Sequence, residues 1–217
     1  MRTPTGTITS VATELAPAVA ITVLTNAVEA VATAAGHGCS VGDIVVVFSG
    51  WGRINYKAFQ VKAVAGDLVT LKKCNTNDQT LFAPGGGVGT LRRVVPAKWV
   101  DLDRTMGHTS NGGDAKTINV KFTEYENEFV LNDGFTAVTR SFEMDADLIG
   151  TPGYEAMVLL SQTQQPTVVR RRAKTGAFTL IPGTVSFNEE EIEAEGQIVR
   201  VKGTINGQNS STRYAAT

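Results

Sequence analysis

The 217-residue chain carries 20 Lys and Arg residues against 21 Asp and Glu residues, a formal net charge of −1. Non-specific nucleic-acid binding needs a clear basic excess, so this balance argues against that class of protein. The 42% of hydrophobic residues suffices for a buried core, while no apolar stretch reaches the ~20 residues of a membrane span. Cys39 and Cys74 are the only cysteines and form no Cys-x-x-C pair, so zinc and thioredoxin-like chemistry have no support.

The first part of the chain predicts a small β unit preceded by an arm. Residues 1–20 are small and polar with two prolines, and we expect an extended N-terminal arm rather than a packed element. Residues 21–35 fit a strand or a short helix, and the alternation of apolar residues favours the strand. β-Branched runs between 43 and 73, bounded by Gly, Asn or Asp, predict further strands. Residues 21–96 are therefore interpreted as a small β subdomain.

Residues 97–205 predict a second, larger β unit, interpreted as the core sandwich. It begins with a strand, WVDLD, and continues into RTMGHTSNGGDAK at 104–116. This segment has almost no apolar anchor and predicts a long loop that is mobile in the isolated molecule. TINVKFTEY at 117–125 alternates as a strand does. Asn132-Asp133-Gly134 stands between two alternating runs and predicts a tight hairpin turn.

One helix is predicted, at 152–163. Thr151 suits the cap position and Pro152 the first helical position, and apolar residues follow at helical spacing. After the helix, PTVVRRRA and FTLIPGTVSF predict a hairpin, NEEEIEAEG (188–196) an acidic connection and QIVRVKGTI a final strand. Residues 206–217 are polar and predict a flexible C-terminal tail.

The residue types that catalysis or metal binding would need form no recognisable arrangement. His37 lies between two glycines and His108 in the 104–116 segment, where turn or surface roles are expected. The run PGGGVG lacks the Lys-Ser/Thr of a phosphate-binding loop and leads into a strand rather than a helix. We predict no catalytic residue, no metal site and no cofactor, and an enzyme is the weakest interpretation.

Two charged runs stand in the C-terminal third of the chain. Arg170, Arg171 and Arg172 alternate across a strand, so the first and third share one face. They are interpreted as a nucleic-acid patch, as a solvated strand face, or as ion-pair partners of Glu189–Glu195 on a neighbouring element or molecule. The near-zero net charge favours the last two interpretations.

An ordered series of segments carries a family resemblance. GHGCSVGDIVVVFSGWGRINYKAFQV, then NTNDQTLFAPGGGVG, then a tryptophan strand, then DLIGTPGYEAMVLLSQTQQPTVVRRRAKTGAFTLIPGTVSFN cover most of residues 20–205. In this order they resemble the major tail tube proteins of long-tailed, non-contractile bacteriophages (siphophages). The two terminal segments are similar to that family only in character.

The resemblance implies a mainly β, sandwich or barrel-like tail tube fold with one short flanking helix, extended termini and a long loop between rings. Subunits would form rings, six-fold in symmetry, that stack into a tube in the virion tail and carry DNA to the host. The 36–95 unit would lie on the outer wall or between subunits. Implied partners are further copies of the chain, the tape-measure, tail terminator and tail-tip proteins, and transiently passing double-stranded DNA, with assembly in the bacterial cytoplasm.

The resemblance also implies residues for two roles. Loops and terminal arms would link rings, while the lumen wall must let DNA pass without holding phosphates and is expected to be neutral or acidic. Candidates for subunit contacts are Trp51, Arg104, Met106, His108, Asn111, Asp114, Arg213 and Tyr214, and candidates for the lumen wall are Asp101, Asp103, Glu124, Glu126 and Glu128.

Trp51, between two glycines, leaves three interpretations open. It is an aromatic plug of the small β unit, an anchor against a neighbouring subunit, or a ligand platform. The plug is favoured, and the ligand platform least. Alternative functions are another phage ring protein, such as a tail terminator or head–tail connector, and a sugar- or peptide-binding sandwich in which Trp51 and Trp99 stack on the ligand.

Overall fold

The computed structural model describes residue 3 and residues 5–216. One α-helix of this described part, α1 (Pro152–Thr163), and two 3-10 turns, Pro96–Lys98 and Ala146–Leu148, accompany the strands. The described chain is thus mainly β with one flanking helix, which confirms the predicted fold class. The strands are β1 (Ile8–Ala12), β2 (Val19–Ile21), β3 (Val23–Leu24), β4 (Val31–Thr33), β5 (Ile44–Ser49), β6 (Lys57–Ala65), β7 (Leu68–Lys72), β8 (Gly89–Arg93), β9 (Trp99–Leu102), β10 (Thr105–Asn111), β11 (Ala115–Val120), β12 (Phe129–Phe135), β13 (Thr139–Asp145), β14 (Thr167–Arg172), β15 (Phe178–Ile192), β16 (Arg200–Gly207) and β17 (Thr212–Tyr214).

The main sheet is antiparallel and curls into a nearly closed, barrel-like shape. Over the described residues its eight strands follow the order β10-β13-β16-β15-β14-β1-β9, with β17 paired to the first residues of β15. Side chains of successive residues alternate between its two faces. Phe142, Met144 and Ile181 lie on one face, almost fully buried, and form a core with the helix.

The helix α1 has the bounds that the sequence predicts. Pro152 occupies its first turn, where a missing N–H costs no hydrogen bond, and the chain leaves the helix at Gln164 in a left-handed conformation. The Thr151 side chain does not cap the helix; its hydroxyl donates to the Leu148 carbonyl at 2.7 Å. Tyr154, Met157 and Leu160 are buried against the main sheet.

A second antiparallel sheet takes its strands from residues 19–93, in the order β2-β8-β5-β6-β7-β4-β3. It encloses a core of its own around Phe59, Leu71 and Leu91. A further apolar cluster, including Val46 and Leu180, joins this sheet to the main-sheet face opposite α1. The division into domains at 21–96 and 97–205 stays a prediction, since the two sheets share this core.

The terminal segments are packed, and the prediction of an unpacked arm and tail is wrong for these residues. β1 lies between β14 and β9 in the main sheet, and Val11 is completely buried. β17 pairs with β15 and buries Tyr214. Both strands are short and lie in polar stretches of sequence that look like loops, while partners distant along the chain give them their hydrogen bonds.

The prediction of a loop at 104–116 is also wrong. Thr105–Asn111 forms β10, which pairs with β13, and β11 begins at Ala115. The side chains of this segment are mostly exposed on both faces, so apolar alternation is missing although the backbone is extended. The chain turns at Gly112 and Gly113, both at positive φ.

The Asn132-Asp133-Gly134 sequence does not form a hairpin turn. It lies inside β12, opposite β11, where the register shifts between Lys116 and Thr117. Gly134, at φ 123°, provides the freedom that this irregularity requires. The signal therefore marks a bulge within a strand rather than the end of one.

Candidate assembly surfaces

The strands β11 and β12 form a two-stranded hairpin outside both large sheets. Ile118 pairs with Leu131 and Val120 with Phe129, and residues 121–128 make the tip. From residue 107 to residue 137 every side chain is exposed except Val120, which is half-buried. A lone two-stranded hairpin is at best marginally stable in water, so this one is expected to gain from a partner surface.

Apolar side chains concentrate on this hairpin and remain largely exposed. At its tip the rings of Phe122, Tyr125 and Phe129 contact one another, with centroids 5.5–6.2 Å apart. Phe135 is 74% exposed and Val130 63% exposed. The three tip rings form a contiguous exposed apolar patch, which is typical of a protein–protein interaction site. We call this surface the apolar hairpin; its apolar members are Ile118, Phe122, Tyr125, Phe129, Val130, Leu131 and Phe135.

The five acidic lumen candidates do not lie on one strand face. Glu124, Glu126 and Glu128 belong to the hairpin tip. Asp101 lies on β9, where its carboxylate accepts a hydrogen bond from Ser10 at 2.6 Å, and Asp103 follows the end of that strand. The lumen role of these residues remains a proposal.

Two contact candidates of the 104–116 segment are engaged within the chain. The Arg104 guanidinium lies 2.9 Å from the Asp145 carboxylate. This contact, followed by the Asp147 backbone N–H, holds the pKa of Asp145 below its usual value. The His108 ring stacks on Phe142 with centroids 5.6 Å apart.

The other three contact candidates of this segment differ in burial. Met106 is half-buried on β10, and Asn111 and Asp114 are exposed on either side of the glycine turn. Gly112 sits so close to Ala137 that a Cβ there would lie 1.8 Å from its carbonyl oxygen. The turn between β10 and the apolar hairpin is thus built around a glycine.

Trp51 is buried within the second sheet, as the plug interpretation predicts. Its indole N–H donates to the Ala83 carbonyl at 2.9 Å, and its ring meets Phe82 edge to face at 5.3 Å. Gly86 and Gly87 pack directly against the indole, where added Cβ atoms would lie 2.9 and 2.7 Å from it. The glycine run PGGGVG therefore makes room for a tryptophan.

Trp99 is engaged in another way. The Arg170 guanidinium lies 4.4 Å from the centre of its ring, in a cation–π contact. Contacts within the chain occupy both tryptophans, which argues against the stacking platform of a sugar-binding site.

The two C-terminal contact candidates differ in burial. Arg213 is exposed, while Tyr214 is buried and stacks on Phe178 at 4.8 Å. The Tyr214 hydroxyl accepts from the Gln60 backbone N–H at 2.9 Å and donates to the Lys72 carbonyl at 3.1 Å. Burial raises the pKa of Tyr214 to about 12. Tyr214 therefore fastens the C-terminal strand to the second sheet.

The described part of the chain contains no cluster of potential metal ligands. No group of three or more His, Cys, Asp or Glu side chains there could hold a metal ion. Within residues 3 and 5–216, none of the helices combines the length and apolar character that crossing a bilayer requires. Cys39 and Cys74 are buried free thiols, and burial raises their pKa values to about 11 and 12.

An antiparallel, nearly closed sheet with a flanking helix and an exposed apolar hairpin defines a mainly β protein. A family model described as phage tail tube protein matches residues 49–216, so the chain belongs to the phage tail tube protein family. The match includes the apolar hairpin, α1 and β13–β17. Among curated proteins, no sequence matches the chain. The resemblance to phage tail tube proteins is thereby confirmed, and family membership makes the chain a structural component of a virion tail.

Proposed function

We propose that the chain assembles with copies of itself into stacked hexameric rings that form the tail tube of a siphophage. The tube is the conduit through which the genome leaves the capsid and enters the host. The observation that carries this proposal is the apolar hairpin, whose apolar side chains are 45–74% exposed. Family membership supports the identity of the assembly, and the hairpin supports contact between copies.

Ring formation has a second support in the sheet topology. β10 and β9 stand at the two ends of the strand order of the main sheet. Edge strands are places where a second chain adds its own strand or packs. A head-to-tail contact between such surfaces closes into a ring when the rotation between copies allows it. Neighbouring main sheets then form a continuous β wall around the lumen.

The lumen wall must repel phosphate rather than bind it. We assign this role to Asp101, Asp103, Glu124, Glu126 and Glu128, which all carry exposed side chains. A map of the assembled tube in which Arg170–Arg172 line the channel instead would contradict this assignment. The tape-measure, tail terminator and tail-tip proteins are the proposed partners of the tube, with assembly in the host cytoplasm.

The decisive experiment removes the apolar character of the hairpin tip without touching a core. The variant Phe122→Ser/Tyr125→Ser/Phe129→Ser replaces the three tip rings, each about half exposed. A matched control, Val28→Ser/Val41→Ser/Leu159→Ser, removes three comparably exposed apolar side chains elsewhere. We expect a folded tip variant that forms no tubes in negative-stain images, while the control forms tubes as the wild type does. Tubes of wild-type length from the tip variant would refute the proposal.

A further inference from the structure

A groove lies between the second sheet and the base of the apolar hairpin. Its volume of about 910 Å³ is typical of binding sites in proteins. Three of its lining residues, Ile54, Phe59 and Phe82, belong to the core of the second sheet. On the hairpin side it is lined by Phe135, which is 74% exposed, and residues 207–210 after β16 complete it. Apolar surface therefore lines the groove from two sides.

The groove is also basic. Of the described residues that line it, Arg53, Lys57 and Lys73 are basic and none is acidic. Lys57 is half-buried, and burial lowers the pKa of its ammonium group. Hydrogen bonds from Thr80 and, less strongly, the charge of Arg53 lower the pKa of Asp78, so Arg53 has a carboxylate nearby and docking is expected to depend on the two lysines. We call this surface the basic groove.

Hydrogen bonds between its walls hold the basic groove in shape. The Asn209 side-chain amide donates to the carbonyl oxygens of Arg53 and Asn55, at 3.3 and 2.7 Å. The Lys73 ammonium group donates to the Arg213 carbonyl at 2.7 Å. A groove that is formed before its partner arrives costs less to occupy than one that must become ordered on binding.

The opposite charge gathers in the acidic segment 188–196, which holds five glutamates and no basic residue. The pairing of β15 with β16 shifts register between Asn188 and Ile192, so the glutamates between them lie in a bulge. A bulge turns side chains away from the regular faces of a sheet. The five glutamates are exposed, and Ile192 among them is 37% exposed. The segment thus presents carboxylates around an apolar side chain, which complements the lining of the basic groove.

The groove and the acidic segment lie at opposite ends of β16. Residues 207–210 line the groove at the end of this strand, whereas the acidic segment precedes its beginning. β16 runs over eight residues from Arg200 to Gly207, roughly 23 Å at ~3.3 Å per residue. The segment of one copy is therefore poorly placed to reach its own groove. A contact between unlike surfaces joins copies head to tail and, where it does not close into a ring, continues into a filament.

We propose that the basic groove binds the acidic segment 188–196 of a second copy of this chain. This inference rests on the proposed function, because stacked rings supply copies that meet head to tail, and it adds the surfaces that join one ring to the next. The ammonium groups of Lys57 and Lys73 bind glutamate carboxylates in charge-assisted hydrogen bonds, and Ile192 adds an apolar contact. The contact weakens as salt rises, since the segment is exposed before it docks.

A charge exchange between the two surfaces tests this contact. The groove variant is Lys57→Glu/Lys73→Glu, and the segment variant is Glu190→Lys/Glu191→Lys. Each places like charges opposite one another, so each alone is expected to form few tubes in negative-stain images. The variant that carries all four substitutions restores opposite charges and should recover most of the tubes. No recovery in this fourfold variant would overturn the proposal.

A matched exchange shows whether the recovery depends on the groove. Arg172→Glu/Lys174→Glu reverses two exposed charges outside the groove and should not restore tubes to the segment variant. Equal recovery with this pair would overturn the proposal. Thermal unfolding checks that each variant is folded. If the half-buried Lys57 does not tolerate glutamate, Lys57→Gln/Lys73→Glu takes the place of the groove variant.

Mixing the groove variant with the segment variant separates this inference from the tail tube proposal. Each retains one intact surface, so we expect a mixed complex in analytical ultracentrifugation that neither variant forms alone. Such a complex, with a wild-type chain that forms no tubes, would support the inference and contradict the tail tube proposal. Tubes of wild-type length from the groove variant would overturn the inference and leave the tail tube proposal standing. Binding of duplex DNA that the groove variant loses, without a mixed complex, would overturn the proposed occupant.

Discussion

The indole N–H of Trp51 donates to the carbonyl oxygen of Ala83 at 2.9 Å, across 32 residues of chain. This bond joins the turn after β5 to the glycine-rich segment before β8. With Phe82 against the ring and glycines beneath it, the contact closes one end of the core of the second sheet. An aromatic side chain therefore helps to hold a segment that looks like a loop in the sequence.

The chain should unfold more easily when this tryptophan is replaced. Trp51→Ala leaves a large cavity, and we expect a loss of about 3–5 kcal/mol in the free energy of unfolding, measured with urea. Trp99→Ala, at a half-buried ring, is the control and should cost less. Wild-type stability in Trp51→Ala combined with failed assembly would instead make Trp51 an interface anchor.

The turn into the apolar hairpin should not tolerate a side chain. Gly112 has φ 81°, and an added Cβ would lie 1.8 Å from the Ala137 carbonyl oxygen. Gly112→Ala is expected to destabilise the chain by about 1–3 kcal/mol or more and to loosen the hairpin, measured by thermal unfolding and limited proteolysis. Gly52→Ala, in open space, should be near neutral. Similar behaviour of the two variants would contradict the described turn.

The Tyr214 hydroxyl should contribute to stability through its two backbone partners. Tyr214→Phe keeps the ring on Phe178 but leaves the Gln60 N–H and the Lys72 carbonyl without this partner. A loss of about 1–3 kcal/mol in the free energy of unfolding is expected. Tyr125→Phe on the exposed hairpin tip is the control and should change little. An unchanged Tyr214→Phe would show that this tyrosine does not fasten the C-terminal strand.

Acid should destabilise the chain through His108. Although the His108 side chain is largely exposed, desolvation of the ring where it stacks on Phe142, followed by the charges of Arg171 and Arg140, lowers the pKa of His108 from 6.5 to about 4, and Thr105 hydrogen-bonds its Nε2. The folded chain thus disfavours the protonated ring, so its contribution is present above pH 6.5 and is lost as the pH falls through 4. Unfolding free energies measured across this window should fall more steeply for the wild type than for His108→Gln. Parallel pH profiles would contradict the prediction.

Local signals predicted α1 well because they lie within the segment itself. Pro152 and the helical spacing of apolar residues specify where the helix begins and which face it buries. The alternation of TVVRRR correctly separated Arg170, which packs on Trp99, from Arg171, which lies on the opposite face of β14. Such patterns depend on one buried face, which both segments have.

The remaining elements depend on partners that a local pattern does not reveal. Thr9 pairs with Arg171 and Phe178 with Tyr214, so the terminal strands are defined by contacts far along the chain. β10 exposes both faces, which removes apolar alternation there, whereas the apolar hairpin alternates although both of its faces are exposed. The apolar residues at 118–135 are the available signal for the assembly surface, and alternation alone does not distinguish an exposed apolar face from a buried one.

Cryo-electron microscopy of the purified wild-type chain tests the central claim most directly. The account predicts stacked rings in which the rings of Phe122, Tyr125 and Phe129 are covered by a second copy of the chain. A monodisperse monomer at high protein concentration would contradict it, as would a tube whose hairpin tips lie in solvent.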